Sequence, residues 1–214
     1  MKRIILLITV IAVTSVAFGQ NAKYVSSMEK TIATIDTSKS VASLRLVCNS
    51  FERIANAEKK EWLPNYYIAY CYMLMATYDK SNDNIDDYCD KADGFIAKAD
   101  SLKPDNSEIY VLKGWASSSR IRVNPMARGQ KYGMASAGFQ EKAKSLDATN
   151  PRPYFMLGMG KYYTPSAFGG GKDKALPLFE EAVKRYKSFK PVSSIMPHWG
   201  EKQATDMLAD CKKD

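Results

Sequence analysis

The sequence predicts an all-α fold, an α-solenoid of antiparallel helix hairpins closed by a C-terminal capping helix. Three observations carry this. Apolar residues recur three and four apart through successive segments, the period of helices that each bury one face. In the stretch 151–182 two such segments flank a glycine-rich corner, with Tyr154, Leu157 and Gly158 on the first and Ala175, Phe179 and Ala182 on the second. A large ring, an aliphatic and a glycine then meet a small, a large and a small residue. Gly158 admits the second helix closely, Ala175 and Ala182 keep the contact thin, and the rings fill the gaps. The same order returns upstream, in Ala92, Ile96 and Ala99 and in Tyr110 and Gly114.

Residues 1–19 read as a secretory signal peptide. Lys2 and Arg3 precede an apolar run over 4–17, and Ala17 and Gly19 set a cleavage site after Gly19. The run is short for a bilayer span, and no other long apolar run follows, so the mature chain 20–214 has no membrane span. The first hairpin, about 22–58, carries Val25, Met28, Ile32 and Ile35, then Val41, Leu44, Cys48, Phe51 and Ile54. Thr37 or Ser38 offers the cap between its helices. It lacks the glycine and alanine signature, as terminal repeats often do.

The second hairpin spans about 62–103. Trp62 and Pro64 open a helix with Tyr67, Tyr70, Cys71 and Leu74, and the returning helix carries Ile85, Cys89, Ala92, Ile96 and Ala99. The third, about 107–147, starts at Asn106 or Ser107. Asn124 and Pro125 supply a cap and a first helical residue for its second helix. Gly129, Gly133 and Gly138 within that helix are costly, by up to ~1 kcal/mol each against Ala, and close helix packing is the expected compensation. The fourth hairpin covers about 151–187. Pro177 lies six residues into a helix starting at Lys172, so that helix either begins nearer Leu176 or kinks. The segment 191–200 is extended, with Pro197 and Trp199 pinned on the preceding hairpin, and a capping helix follows at about 201–212.

The chain carries 31 basic and 23 acidic residues; without Lys2 and Arg3 the balance is 29 to 23, or +6. The excess is spread over helix faces, which argues against nucleic acid as a partner. Cys48, Cys71, Cys89 and Cys211 match no zinc signature. They read as buried thiols, and the candidate disulfide is Cys71 with Cys89 across one hairpin. The run Gly169-Gly170-Gly171-Lys172 lacks the strand, spacing and hydroxyl of a phosphate loop. His198, the single histidine, has no nucleophile or carboxylate pair beside it in sequence. No catalytic residue, metal site or cofactor is expected, and the chain does not read as an enzyme. Arg120, Arg122, Arg128 and Lys131 form a candidate anion site; the alternative is that Arg120 and Arg122 complement a helix C-terminus.

The three hairpins from about Trp62 to Tyr186 resemble tetratricopeptide (TPR) units. The runs 120–129 and 167–172 are similar to those in a group of short exported TPR-like proteins of Gram-negative bacteria. That resemblance implies an α-solenoid exported to the periplasm or beyond, and it brings no activity with it. In such stacks the first helix of each hairpin lines the concave side. With Tyr67, Tyr110 and Tyr154 as equivalent rings, the groove rows are Ile68, Val111 and Phe155, then Tyr72, Trp115 and Met159, then Met75 and Tyr162, with Arg152 at the rim. The expected function is a non-catalytic interaction module binding a peptide or partner subunit of the envelope in that groove. The alternative is a small-molecule binder, an accessory part of an envelope uptake system. The competing expectation for the groove itself is that the long loops or segment 191–199 fold over it.

Overall fold

The structure is a computed structural model that describes residues 22–213. The stretch 1–19 read as a signal peptide lies outside the described residues. Among the described residues the regular structure is helical, with no strand. Helix α1 covers 22–37 and α2 Val41–Ala57. The cap between them is Ser40 rather than Thr37 or Ser38: Ser40 and Ser43 form a capping box. Ser38 instead turns its hydroxyl back to the Thr34 carbonyl at 2.7 Å and closes α1.

Helix α3 (Leu63–Tyr78) is the hub. It is apolar on nearly every side and buried on nearly every side, with α2, α4 and α5 packed around it. Helix α4 is Ile85–Leu102 and α5 is Ser107–Arg120. Asn106 caps α5, accepting from the Glu108 amide at 2.9 Å. A 3₁₀ turn (Ile121–Val123) leads to α6 (Pro125–Leu146), which Asn124 caps through the Ala127 amide, with Pro125 in the first turn. Helix α7 is Arg152–Tyr163 and α8 Lys172–Ser188. Between them the backbone takes positive φ at Gly169 and Gly171, the corner the three glycines predict. Helix α8 begins at Lys172 and continues through Pro177, whose missing donor falls early in the helix. Helix α9 (Glu201–Cys211) ends the chain.

Each helix from α2 onward packs on its successor, and α3, α5 and α7 also touch one another in series. Those three form an inner row with two hydrophobic cores beside it, one spanning α1 to α5 and one formed with α7, α8 and α9. Gly158 packs as its spacing predicts: a Cβ there would lie 2.6 Å from the Phe179 ring. The glycines of α6 do not. A Cβ at Gly129 or Gly138 would meet nothing within 4 Å, and one at Gly133 would only graze Ile121 at 4.0 Å. Close packing therefore does not offset their cost. At ~1.5 Å per residue, the 22 residues of α6 outrun the 12 of α7. The first turns of α6 pack on α5 and the 3₁₀ turn and reach α4 through the Arg128–Asp86 ion pair, and Met126 and Met134 stand 87% and 70% exposed.

Candidate functional site

The inner row begins each of its later helices with an Asn and a charge. Asn106 leads to Glu108 on α5, and Asn150 leads to Arg152 on α7. Both charged side chains turn inward, and Arg152 is 0% exposed. Its Nη1 donates to Glu108 Oε1 at 2.9 Å, and its Nη2 donates to the Pro197 carbonyl at 2.6 Å. Asn150 Nδ2 donates to Glu108 Oε1 at 2.8 Å and to Ser107 Oγ at 3.0 Å, and the Tyr66 hydroxyl donates to Glu108 Oε2 at 3.2 Å. Burial pushes the Glu108 carboxyl above the usual glutamate range, and Arg152 pulls it back only in part. At Arg152 the order reverses: burial disfavours the charge, but Glu108 and the surrounding hydroxyls hold its pKa above the ordinary value. A buried pair of this kind is worth little by itself, but losing one member strands the other.

Segment 189–200 crosses this centre as a strap. The Tyr67 hydroxyl donates to the Ile195 carbonyl at 2.9 Å, and the Tyr186 hydroxyl to the Trp199 carbonyl at 3.1 Å. Trp199 Nε1 donates to the Tyr66 hydroxyl at 2.9 Å, while its ring stacks on Tyr70 at 5.1 Å and tilts against Trp115 at 5.4 Å. The Arg152 guanidinium lies 5.2 Å from the rings of both Trp199 and Phe189.

Beside the strap opens a cleft of about 650 Å³, within the ~300–1,000 Å³ usual for small-molecule sites. Leu146, Phe189, Pro191, Val192, Met196 and Pro197 supply apolar walls, Ser107 and Thr149 hydroxyls, Arg185 and Lys190 positive charge, and Asp105, Glu108 and Asp147 negative charge. Arg185 pairs with Glu181 at 2.7 Å and with the Ala148 carbonyl, yet its buried Nε has no hydrogen-bond partner. Val192 is 90% exposed on the outer lip.

The predicted groove is occupied from within. Ile68, Met75 and Val111 are wholly buried, because neighbouring helices surround the row rather than leaving one side bare. Tyr72 stacks on Phe95 of α4 at 6.1 Å, and Phe155 packs on Phe179 at 6.2 Å. Trp115 lies half-buried under Trp199; Tyr162 donates to Asp210 of α9 at 2.5 Å, and Met159 is half-buried in the same core. Arg152 is the centre of the polar cluster, not a rim residue, because Glu108 and the Pro197 carbonyl draw it in.

The candidate anion site is likewise spent on internal partners. Arg120 pairs with Asp90 and with Asp93 at 3.0 Å, and Arg128 with Asp86 at 2.7 Å. Arg122 donates to the Ala76 carbonyl at the end of α3, at 2.6 Å, and Lys131 lies 5.2 Å from the Tyr132 ring. All four cysteines are free. Cys71 neighbours Cys48 rather than Cys89, which turns to the Ala116 carbonyl of α5 at 3.5 Å. Among the described residues no group of His, Cys, Asp and Glu suits a bare metal ion, and no helix is long and apolar enough to cross a membrane.

Sequence reasoning missed Glu108, Phe189 and Arg185 as members of a site. The signal for Glu108 was present: Asn65, Glu108 and Arg152 each stand two residues before the repeat rings Tyr67, Tyr110 and Tyr154, and all three are buried.

No family model and no curated protein matches the chain. Among solved structures it is similar to the HusA haemophore from Porphyromonas gingivalis, with a TM-score of 0.80 and 38% identity, covering 88% of this chain and 92% of that one.

Proposed function

We propose, from the premise that this chain belongs to the family of the HusA haemophore, that it is an exported protein holding haem, or a porphyrin like it, as cargo for envelope uptake. It is a binding protein, not an enzyme. The observation that carries the reading is 38% identity spread over nearly the whole of both chains. Of the two functions the sequence suggests, this favours the small-molecule binder over the peptide module. The coverage of the inner row by segment 189–200 favours it too.

The cleft beside the strap suits such a cargo. A porphyrin offers flat apolar faces and two carboxylates. Phe189, Pro191, Val192, Met196 and Pro197 match the faces, while Lys190 and the Arg185 guanidinium bring positive charge for the carboxylates. The reading keeps residues 1–19 as a removed leader and 20–214 as a TPR-like stack, with the inner row of α3, α5 and α7 as the first helices of its hairpins.

The test is titration of the mature protein with ferric haem and with iron-free protoporphyrin, followed by absorption and by quenching of tryptophan fluorescence. Trp199 stands two residues from the cleft wall Pro197 and packs on Trp115. Saturable binding is expected, weakened about tenfold or more by Phe189→Ala combined with Lys190→Glu. Absence of saturable binding to either compound overturns the reading.

A further inference from the structure

The first turn of each inner helix places a polar side chain two residues before its ring, and the three fare differently. Glu108 and Arg152 turn to each other. Asn65, on α3, is buried at 7% exposure, yet its side-chain amide has no hydrogen-bond partner among the described residues. A buried amide left unpaired is costly and uncommon. This one lines a second cleft, of about 390 Å³, between the end of α2, the start of α3 and the end of α4.

The surroundings of Asn65 select a negative charge. Lys59 and Lys98 line the same cleft, both exposed and neither in an ion pair with a described residue. The Lys98 ammonium stands 4.6 Å from the centre of the Phe95 ring, and that ring stacks on Tyr72. Helix α3 starts without a side-chain cap, so the positive end of its dipole is unopposed there. Glu52 is the one acidic residue of the lining, and two lysines against it leave a single positive charge. That balance suits a monoanion better than a phosphate dianion. Phe95 and Leu102 supply apolar surface beside the charges.

We infer that this cleft is a second binding site, for a carboxylate carried on an apolar body. Asn65 Nδ2 and the Lys59 and Lys98 ammonium groups donate to the two carboxylate oxygens, and the buried amide gains its missing partner. Phe95 and Leu102 cover the apolar part, and Glu52 turns away dianions. The volume stands near the lower end of the ~300–1,000 Å³ usual for small-molecule sites, so the body is small. A free organic acid and the C-terminus of a peptide both carry this group. The two clefts share no residue, so this site stands apart from the haem-binding reading.

The experiment follows the proton–nitrogen correlation spectrum of the mature chain as hydrocinnamate or the peptide N-acetylleucylphenylalanine is added. Each acid is paired with its own amide, which keeps the body and loses the charge. The carboxylates are expected to shift the Asn65 side-chain signals saturably, and the amides to bind about tenfold or more weakly. Saturation by both acids supports recognition of the carboxylate alone. Saturation by only one of them supports the site and identifies its source as a free acid or a chain terminus. Lys59→Gln combined with Lys98→Gln, both at exposed positions, should weaken binding by a similar factor. Asn65→Leu should weaken it too without lowering the melting temperature, because the amide has no partner in the protein to lose. Absence of a saturable shift with either carboxylate overturns the inference, as does equal binding of the amides or wild-type binding by the lysine double variant. The haem titration is read separately, so none of these outcomes bears on the haem-binding reading.

Discussion

At the residue scale, three side-chain environments make sharp predictions. Gly158 faces the Phe179 ring across the α7–α8 contact, with no room for a Cβ. Gly158→Leu is expected to destabilise the fold by roughly 1–3 kcal/mol through overpacking, read as a lower urea midpoint; an unchanged midpoint removes the packing role. Arg152 and Glu108 pair in the interior through Nη1, while the Arg152 Nε has no hydrogen-bond partner. Arg152→Met should cost about 3–5 kcal/mol by stranding the Glu108 carboxylate, and adding Glu108→Leu should recover part of it. Recovery of nothing would mean that the contacts to Pro197 and Asn150 outweigh the charge pairing. Asp86 supplies a pH dependence. Its hydrogen bond from Arg128 holds the carboxyl below the usual aspartate value of ~3.9. The folded state therefore releases this proton more readily than the unfolded chain. The stabilisation is present above ~3.9 and is lost as pH falls through the lower folded value. Urea midpoints measured downward from pH 5 should decline less steeply for Asp86→Asn than for wild type.

At the element scale, α6 is the helix whose sequence and surroundings disagree most. It carries Gly129, Gly133 and Gly138, yet Gly129 and Gly138 have open space where a Cβ would go. Ala at these two positions should raise stability by up to ~1 kcal/mol each, since helix propensity is gained and no contact is strained. Thermal melts of Gly129→Ala and Gly138→Ala measure this directly, and a loss of stability would reveal packing absent from this structure. The strap is the opposite case. It has almost no regular hydrogen bonding of its own and is held by side chains of Tyr66, Tyr67, Arg152 and Tyr186.

At the scale of the whole molecule, the helices are a frame that brings the start of α5, the link from α6 to α7, the end of α8 and the strap to one cleft. The end of α8 runs directly into the strap, whereas the start of α5 and the link from α6 to α7 come from far upstream in the sequence. If the chain is exported with its leader removed, the intact mass of material recovered from the envelope should correspond to a chain beginning at residue 20. A mass that includes residues 1–19 would contradict cleavage. Bound haem should also raise the melting temperature with ligand concentration, as any ligand of the native state must.

Helical periodicity and the small-large-small faces determined the helices, their order and the α7–α8 contact, because those signals are local or involve chain neighbours. Asn124 announced its cap for the same reason, and the cap of α5 fell on Asn106, one of the two candidates with Ser107. The site was less legible. From the helical wheel alone, Tyr72, Trp115 and Tyr162 look like groove anchors, since a wheel shows which side of a helix is apolar but not what lies opposite. Only the tertiary structure decides that α4, α9 and the strap occupy those sides. Arg120 and Arg128 look available for the same reason, until Asp90 arrives from 30 residues away and Asp86 from 42. Burial of Arg152 with Glu108 is also a tertiary decision. It turns on whether two charges 44 residues apart share an interior where each makes the other tolerable.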